Sequence, residues 1–140
     1  MSGIPRRVYR DMEGEVELEL PAVPASVQRV RDAVRALAVG RVSGLGDVDL
    51  AVTEAATNVV VHAYRDRAAG DAPGVLHLAV RLEDAFLHVS IADDGVGLSP
   101  RHDSPGLGFG LGLIARFADE LEIEQISPGT RLTMRFKLSR

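Results

Sequence analysis

The sequence predicts an α+β fold: a mixed, mostly antiparallel sheet with helices on one face. Three observations predict it. Segments with two-residue alternation of apolar and polar residues come mainly in pairs, 75–82 with 86–92 and 121–126 with 131–138. Two longer stretches, residues 24–38 and 47–64, instead carry apolar residues at spacings of three and four. The strands do not alternate singly with helices, as a parallel sheet built from crossover units requires.

Residues 1–14 are polar and charged, which suggests a flexible tail ahead of a single domain over 15–140. Residues 15–20, EVELEL, alternate strictly and read as a half-buried strand that Pro21 and Pro24 stop. A helix opens at Pro24 with Val27, Val30, Val34 and Leu37 on its apolar face and Arg29, Arg31 and Arg35 on the other. Gly40 and residues 43–46 form a turn. The central helix, 47–64, follows with Val48, Val52, Ala55, Ala56, Val59, Val60 and Ala63 in helical register. After Tyr64 the run RDRAAGDAPG is a loop by composition. The strands 75–82 and 86–92 form a hairpin around Glu83-Asp84. A Gly-rich segment from Gly106 leads into a third helix carrying Leu111, Ile114, Ala115 and Ala118. Two closing strands flank Ser127-Pro128-Gly129-Thr130.

Composition sets bounds on the chemistry. The chain has 140 residues, 46% hydrophobic and 26% charged, which suits one compact domain with its own core. Aromatics are 4% and Trp is absent, so that core is built from Val, Leu, Ile and Ala. With no cysteine, disulfides and thiolate-bound metals are excluded. The histidines (62, 77, 88 and 102) lack metal-ligand spacing. No apolar run reaches the roughly 20 residues of a membrane span, and the start has no apolar stretch of the signal-peptide kind. A cytoplasmic protein is the default expectation. A formal charge of −4 gives no general footprint for nucleic acid.

The central helix carries one polar stripe on an otherwise apolar or small-residue surface. Glu54, Asn58 and His62 lie four apart and share a face. A solvated stripe is the ordinary explanation, and His62 alone reads equally as a capping or packing residue. Two glycine segments favour a polar ligand. The first is Asp93-x-Gly95-x-Gly97 at a strand end, where glycine permits close backbone approach and the carboxylate can accept an exocyclic amine proton. In isolation it reads first as an acidic turn. The second is Gly106-Leu107-Gly108-Phe109-Gly110-Leu111-Gly112 at a helix start, where exposed N–H groups can bind phosphate. A flexible hinge is the competing reading, yet each glycine inside a helix costs about 1 kcal/mol relative to Ala. It is neither a Walker A loop nor a dinucleotide-binding turn.

Taken together, Glu54-x-x-x-Asn58, Asp93-x-Gly95-x-Gly97, Gly108-x-Gly110 and Gly129-Thr130 resemble the N, G1 and G2 boxes and final Gly-Thr of the GHKL ATP-binding superfamily. The resemblance covers about residues 15–138. Glu54 to Tyr64, with its Glu-Ala-x-x-Asn-x-x-x-His-Ala-Tyr pattern, is similar to the bacterial anti-sigma-factor serine kinases of sporulation and stress control. That resemblance implies a Bergerat-type two-layer sandwich, ATP or ADP as ligand, and Mg²⁺ held by Asn58. It implies that Asp93 takes the adenine amino proton, with Gly95 and Gly97 on the pocket floor. Gly108, Phe109, Gly110, Leu111 and Gly112 would cradle the phosphates, Thr130 would sit near the adenine, and His62 would line the site. Glu54 would be the general base for a serine hydroxyl of a partner. Arg31 is the nearest match to an arginine that the family uses across a dimer. The implied partners are a sigma factor and an anti-sigma antagonist, with the kinase as a homodimer whose candidate surfaces are strand 15–20 and the first helix. The lid over 98–107 is short, with Arg101 and His102 as its only plausible γ-phosphate contacts. That departure keeps a second expectation open, a nucleotide-gated regulatory binding module with little or no kinase activity. A slow stand-alone ATPase is a third.

Overall fold

The structure, a computed structural model, describes residues 6–8, 14–68, 70–96 and 110–139. It comprises β1 (Arg6–Val8), β2 (Glu15–Pro21), α1 (Pro24–Ala38), α2 (Leu45–Asn58), β3 (Val75–Glu83), β4 (Phe86–Asp93), α3 (Leu111–Phe117), β5 (Glu120–Gln125) and β6 (Thr130–Lys137). The strands form one six-stranded sheet in the order β1-β2-β3-β4-β6-β5, and every pairing among the described residues is antiparallel. The helices pack on one face of this sheet, giving two layers. Among the described residues no helix is long and apolar enough to cross a membrane.

The alternation seen in the sequence sets the layers. Leu76, Leu78 and Val80 of β3 are buried, as are Leu87, Val89 and Ile91 of β4 and Leu132, Met134 and Phe136 of β6. Antiparallel pairing puts Leu78 opposite Ile91, Val80 opposite Val89, and Val89 opposite Met134. The intervening His77, Ala79, Arg81, His88, Ser90, Arg131, Thr133 and Arg135 turn to the other side, as the two-residue strand period requires. Against the inner face lie Val30, Val34 and Ala38 of α1 and Val48, Ala51, Val52, Ala55 and Ala56 of α2. Alanines on α2 let it sit close to both the sheet and its helical neighbours. Pro24 starts α1, and the buried Ser26 donates its hydroxyl to the Pro21 carbonyl at 2.6 Å, fixing the strand-to-helix corner.

Four boundaries differ from the sequence expectation. Arg6–Val8 forms a strand along β2, in register Arg6 with Glu19, so this part of residues 1–14 is not a loose tail. The outer edge of β2 offers unpaired N–H and C=O groups, and a three-residue segment suffices to use some of them. Second, α2 starts at Leu45, taking Gly46 into its first turn. Third, its α-helical part ends at Asn58 and continues as a wider π-type turn over Val59–Ala63. Fourth, α3 covers only Leu111–Phe117, because Ala118 is extended and Asp119 turns its carboxylate to the Lys137 N–H at 2.8 Å.

Candidate functional site

The C-terminal end of α2, the end of β4 and the start of β6 meet at one place. Asn58 is the last α-helical residue of α2, Asp93 the last of β4, and Thr130 the first of β6, directly opposite Asp93 in the ladder. All three are buried although polar. They line a narrow cleft with Ala55, Val59, Ile91 and Leu132. Small and aliphatic walls surround one carboxylate, which presents a hydrogen-bond acceptor among apolar side chains.

Asp93 is 3% exposed. Its Oδ1 accepts the Gly95 N–H at 3.0 Å, and the Thr130 backbone N–H also bonds to the carboxylate. Burial pushes its pKa above the ordinary carboxylate value, and the neighbouring Asp94 adds to this. The two N–H bonds and His77 pull the other way. His77 lies 3.0 Å from the Asp94 carboxylate on the outer side of the sheet.

Backbone packing brings the loop after β4 against the end of α2. The Val96 N–H bonds to the Ala63 carbonyl at 2.9 Å. A Cβ at Gly95 would overlap that same carbonyl oxygen, so only glycine allows the approach. On the other side Gly129, at φ +100°, presses on the Asp93 carbonyl, and a Cβ there would overlap it.

Glu54 stands one helical turn before Asn58 and is half-buried. Gly110, just ahead of α3, lies against it: a Cβ at Gly110 would sit 2.6 Å from Glu54 Oε2. Leu111 and Gly112 form the first turn of α3. Thus Glu54, Asn58, Asp93, Thr130 and the start of α3 gather around the C-terminal half of α2. His62 sits in the π-type turn that follows Asn58. It does not line the cleft of Asn58 and Asp93. Its pKa is lowered by burial, then by Arg65. Gly97, Arg101, His102, Gly108 and Phe109 lie outside the described residues.

Arg31 is turned toward α2, where its guanidinium forms a two-pronged pair with Asp49 at 3.0 and 2.8 Å. Among the described residues no group of three or more His, Asp or Glu could hold a metal ion. The sequence reading singled out no role for Tyr64, whose hydroxyl accepts the Asp94 N–H at 2.8 Å and donates to the Val75 carbonyl at 2.5 Å. The sequence carried it only as the last letter of the Glu54-to-Tyr64 pattern, at the end of the central helix. Its partners lie 11 and 30 residues away.

Known proteins bear on this geometry. The chain is similar to the anti-sigma F factor of Geobacillus sp. (strain WCH70), at 25% identity over 89% of this chain and 92% of that protein. It is similar to the anti-sigma F factor of Bacillus thuringiensis (strain Al Hakam), at 27% identity over 80% of this chain and 84% of that one. Its fold matches a crystal structure of the RsbU and RsbW domains of a Mycobacterium tuberculosis protein with a TM-score of 0.69 and 24% identity. That match covers 94% of this chain and 34% of the longer one. A family model described as the histidine kinase-like ATPase domain matches residues 20–136, a span that includes α2, the Asp93 loop and Thr130. This chain therefore belongs to the histidine kinase-like ATPase domain family.

Proposed function

We propose that this chain is an ATP-dependent protein-serine kinase and anti-sigma factor, which binds a sigma factor in the cytoplasm and phosphorylates a serine of an antagonist protein. The observation that carries the reading is the buried cleft in which Asp93, Asn58 and Thr130 converge, with Glu54 one turn earlier on the same helix. The names of the anti-sigma F relatives support the regulatory half of it.

Each residue then has a task. Asp93 accepts the amino proton of adenine, held in place by the Gly95 and Thr130 N–H groups. The apolar walls take the ring faces, and the Thr130 hydroxyl lies at the ring's edge. Gly110, Leu111 and Gly112, with Gly108 and Phe109 before them, offer backbone N–H groups to the phosphates. The Asn58 amide oxygen would help hold Mg²⁺, which would supply compensation of the phosphate charge; such a site needs no all-protein cage. Glu54 takes the proton of the incoming serine hydroxyl as its oxygen attacks the γ-phosphorus, and ADP leaves with the bond that breaks. Phosphoryl transfer asks the protein mainly for positioning and charge compensation, and these residues supply the nucleophile's side. The working form would be a homodimer.

The deciding experiment is phosphoserine formation on the cognate antagonist with ATP and Mg²⁺, comparing wild type with Glu54→Ala. Loss of a general base should slow transfer by about 100-fold or more while capture of the sigma factor persists. Wild type that captures the sigma factor in a nucleotide-dependent way yet forms no phosphoserine would overturn the kinase and leave a nucleotide-gated binding module. Phosphate release without any acceptor protein would favour a plain ATPase.

A further inference from the structure

We propose that Tyr64 is a positioning residue for nucleotide binding: its hydroxyl and ring clasp the Asp93–Gly95 turn to the start of β3 and so fix the direction of the Asp93 carboxylate. The inference rests on the nucleotide reading of the cleft.

The clasp has three parts. First, the hydroxyl bridges two backbone groups, one in the turn after β4 and one at the start of β3. It accepts from the Asp94 N–H at 2.8 Å and donates to the Val75 carbonyl at 2.5 Å. Bridging of this kind needs a neutral phenol, one donor and one acceptor at once. Burial pushes the Tyr64 phenol above its ordinary pKa and keeps it neutral. Second, the ring is seated on Gly74, where any Cβ would overlap its carbons. The Arg67 guanidinium lies over the ring at 4.8 Å from its centroid. Third, Tyr64 follows directly on Ala63, whose carbonyl holds the Val96 N–H. Two successive residues at the end of α2 therefore grip the turn at Asp94 and at Val96. Between them lies Gly95, whose N–H orients Asp93 Oδ1.

The geometry makes Asp94 N–H the critical link. It is the amide next to Asp93, in a turn that leaves β4 after its last ladder pair, Asp93 with Thr130. Without the phenol oxygen this N–H has no ladder partner, and the Asp93 carboxylate keeps its Gly95 bond only as well as the turn keeps its shape. Tyr64 touches neither of the groups that react. Its effect reaches the ligand through Asp93.

The test compares wild type with Tyr64→Phe, which keeps the ring and removes the bridge, and with Gly74→Ala, which keeps the hydroxyl and displaces the ring. Amide hydrogen exchange of the free protein should quicken at Asp94, Gly95 and Val96 in both variants, ahead of the core strands. Calorimetry should show ATP binding weakened by about 10-fold in Tyr64→Phe, the scale of one lost bridging hydrogen bond. Under kinase assay the KM for ATP should rise with kcat little changed. A merely structural Tyr64 would lower thermal stability without that split: ATP affinity within about twofold of wild type in both folded variants would overturn the proposal. Wild type that binds no ATP would overturn the nucleotide reading and this inference together, whereas wild-type binding with unaltered variants overturns this inference alone.

Discussion

Under the proposed function Asp93 carries a conflict between folding and ligand recognition. Its carboxylate is buried, and its pKa in the folded protein is raised by that burial. A folded state that holds the proton more tightly than the unfolded chain gains from low pH. The favourable contribution is complete below the ordinary value and is lost as pH rises through the raised one. Asparagine has no charge to desolvate and keeps an oxygen for the Gly95 N–H. Asp93→Asn should therefore hold or raise the melting temperature at pH 7, and its difference from wild type should shrink as pH falls toward 4. Under the proposed function the same change puts an amide where the adenine amine would need an acceptor, and ATP affinity should fall by about 100-fold. Calorimetric melting across pH, beside ATP titration, checks both; a clear loss of stability at pH 7 would contradict the account. Among single residues the sequence marked Glu54, Asn58, Asp93 and Thr130 through short motifs, because each sits beside glycines or on a helix whose period is plain. Tyr64 was legible only as a letter of a motif, since its partners come from two other elements.

Turns and helix ends decide how these elements meet. Gly129 packs on the Asp93 carbonyl with φ +100°, a conformation that side chains rarely adopt. Gly129→Ala should cost about 2 kcal/mol in chemical denaturation, and it should weaken ATP binding as well because the Asp93 end of β4 must shift. A cost confined to stability would separate the turn from the cleft. The long alternating strands were readable from their side chains alone: Leu76, Leu78 and Val80 alternate with His77, Ala79 and Arg81 in sequence and in burial. The π-type turn was not, because Val59-Val60-Val61-His62-Ala63 carries the same apolar content in either winding. β1 was not readable either. Three residues are too few for a period, and their pairing is drawn from the free edge of β2 rather than from any pattern of their own. The third helix ends at Phe117, one residue short of the Ala118 that its apolar face was expected to include.

At the scale of the whole molecule a single core joins both layers, from Val30 and Val34 of α1 through Leu78 and Val89 to Met134. Leu78 lies within it, 2% exposed. Leu78→Ala should cost about 2–5 kcal/mol, and urea unfolding followed by fluorescence and circular dichroism should remain one coincident transition. Separate transitions for the helices and the sheet would contradict a shared core. The two-layer class was legible because pairs of strands and amphipathic helices admit few other arrangements. The strand order was not, since β4 pairs with β6 across the intervening helix and β5. That order has a consequence for how copies of this chain can meet. A sheet grows into a ribbon by adding strands at its rims, and both rims here resist it. One rim is the short β1, which presents three residues of backbone. The other is β5, whose exposed Glu120, Glu122 and Glu124 would confront their own likeness in a second copy. Open-ended, edge-to-edge polymerisation is thereby disfavoured, and self-association is directed to the faces of the molecule, where a pair can close on itself.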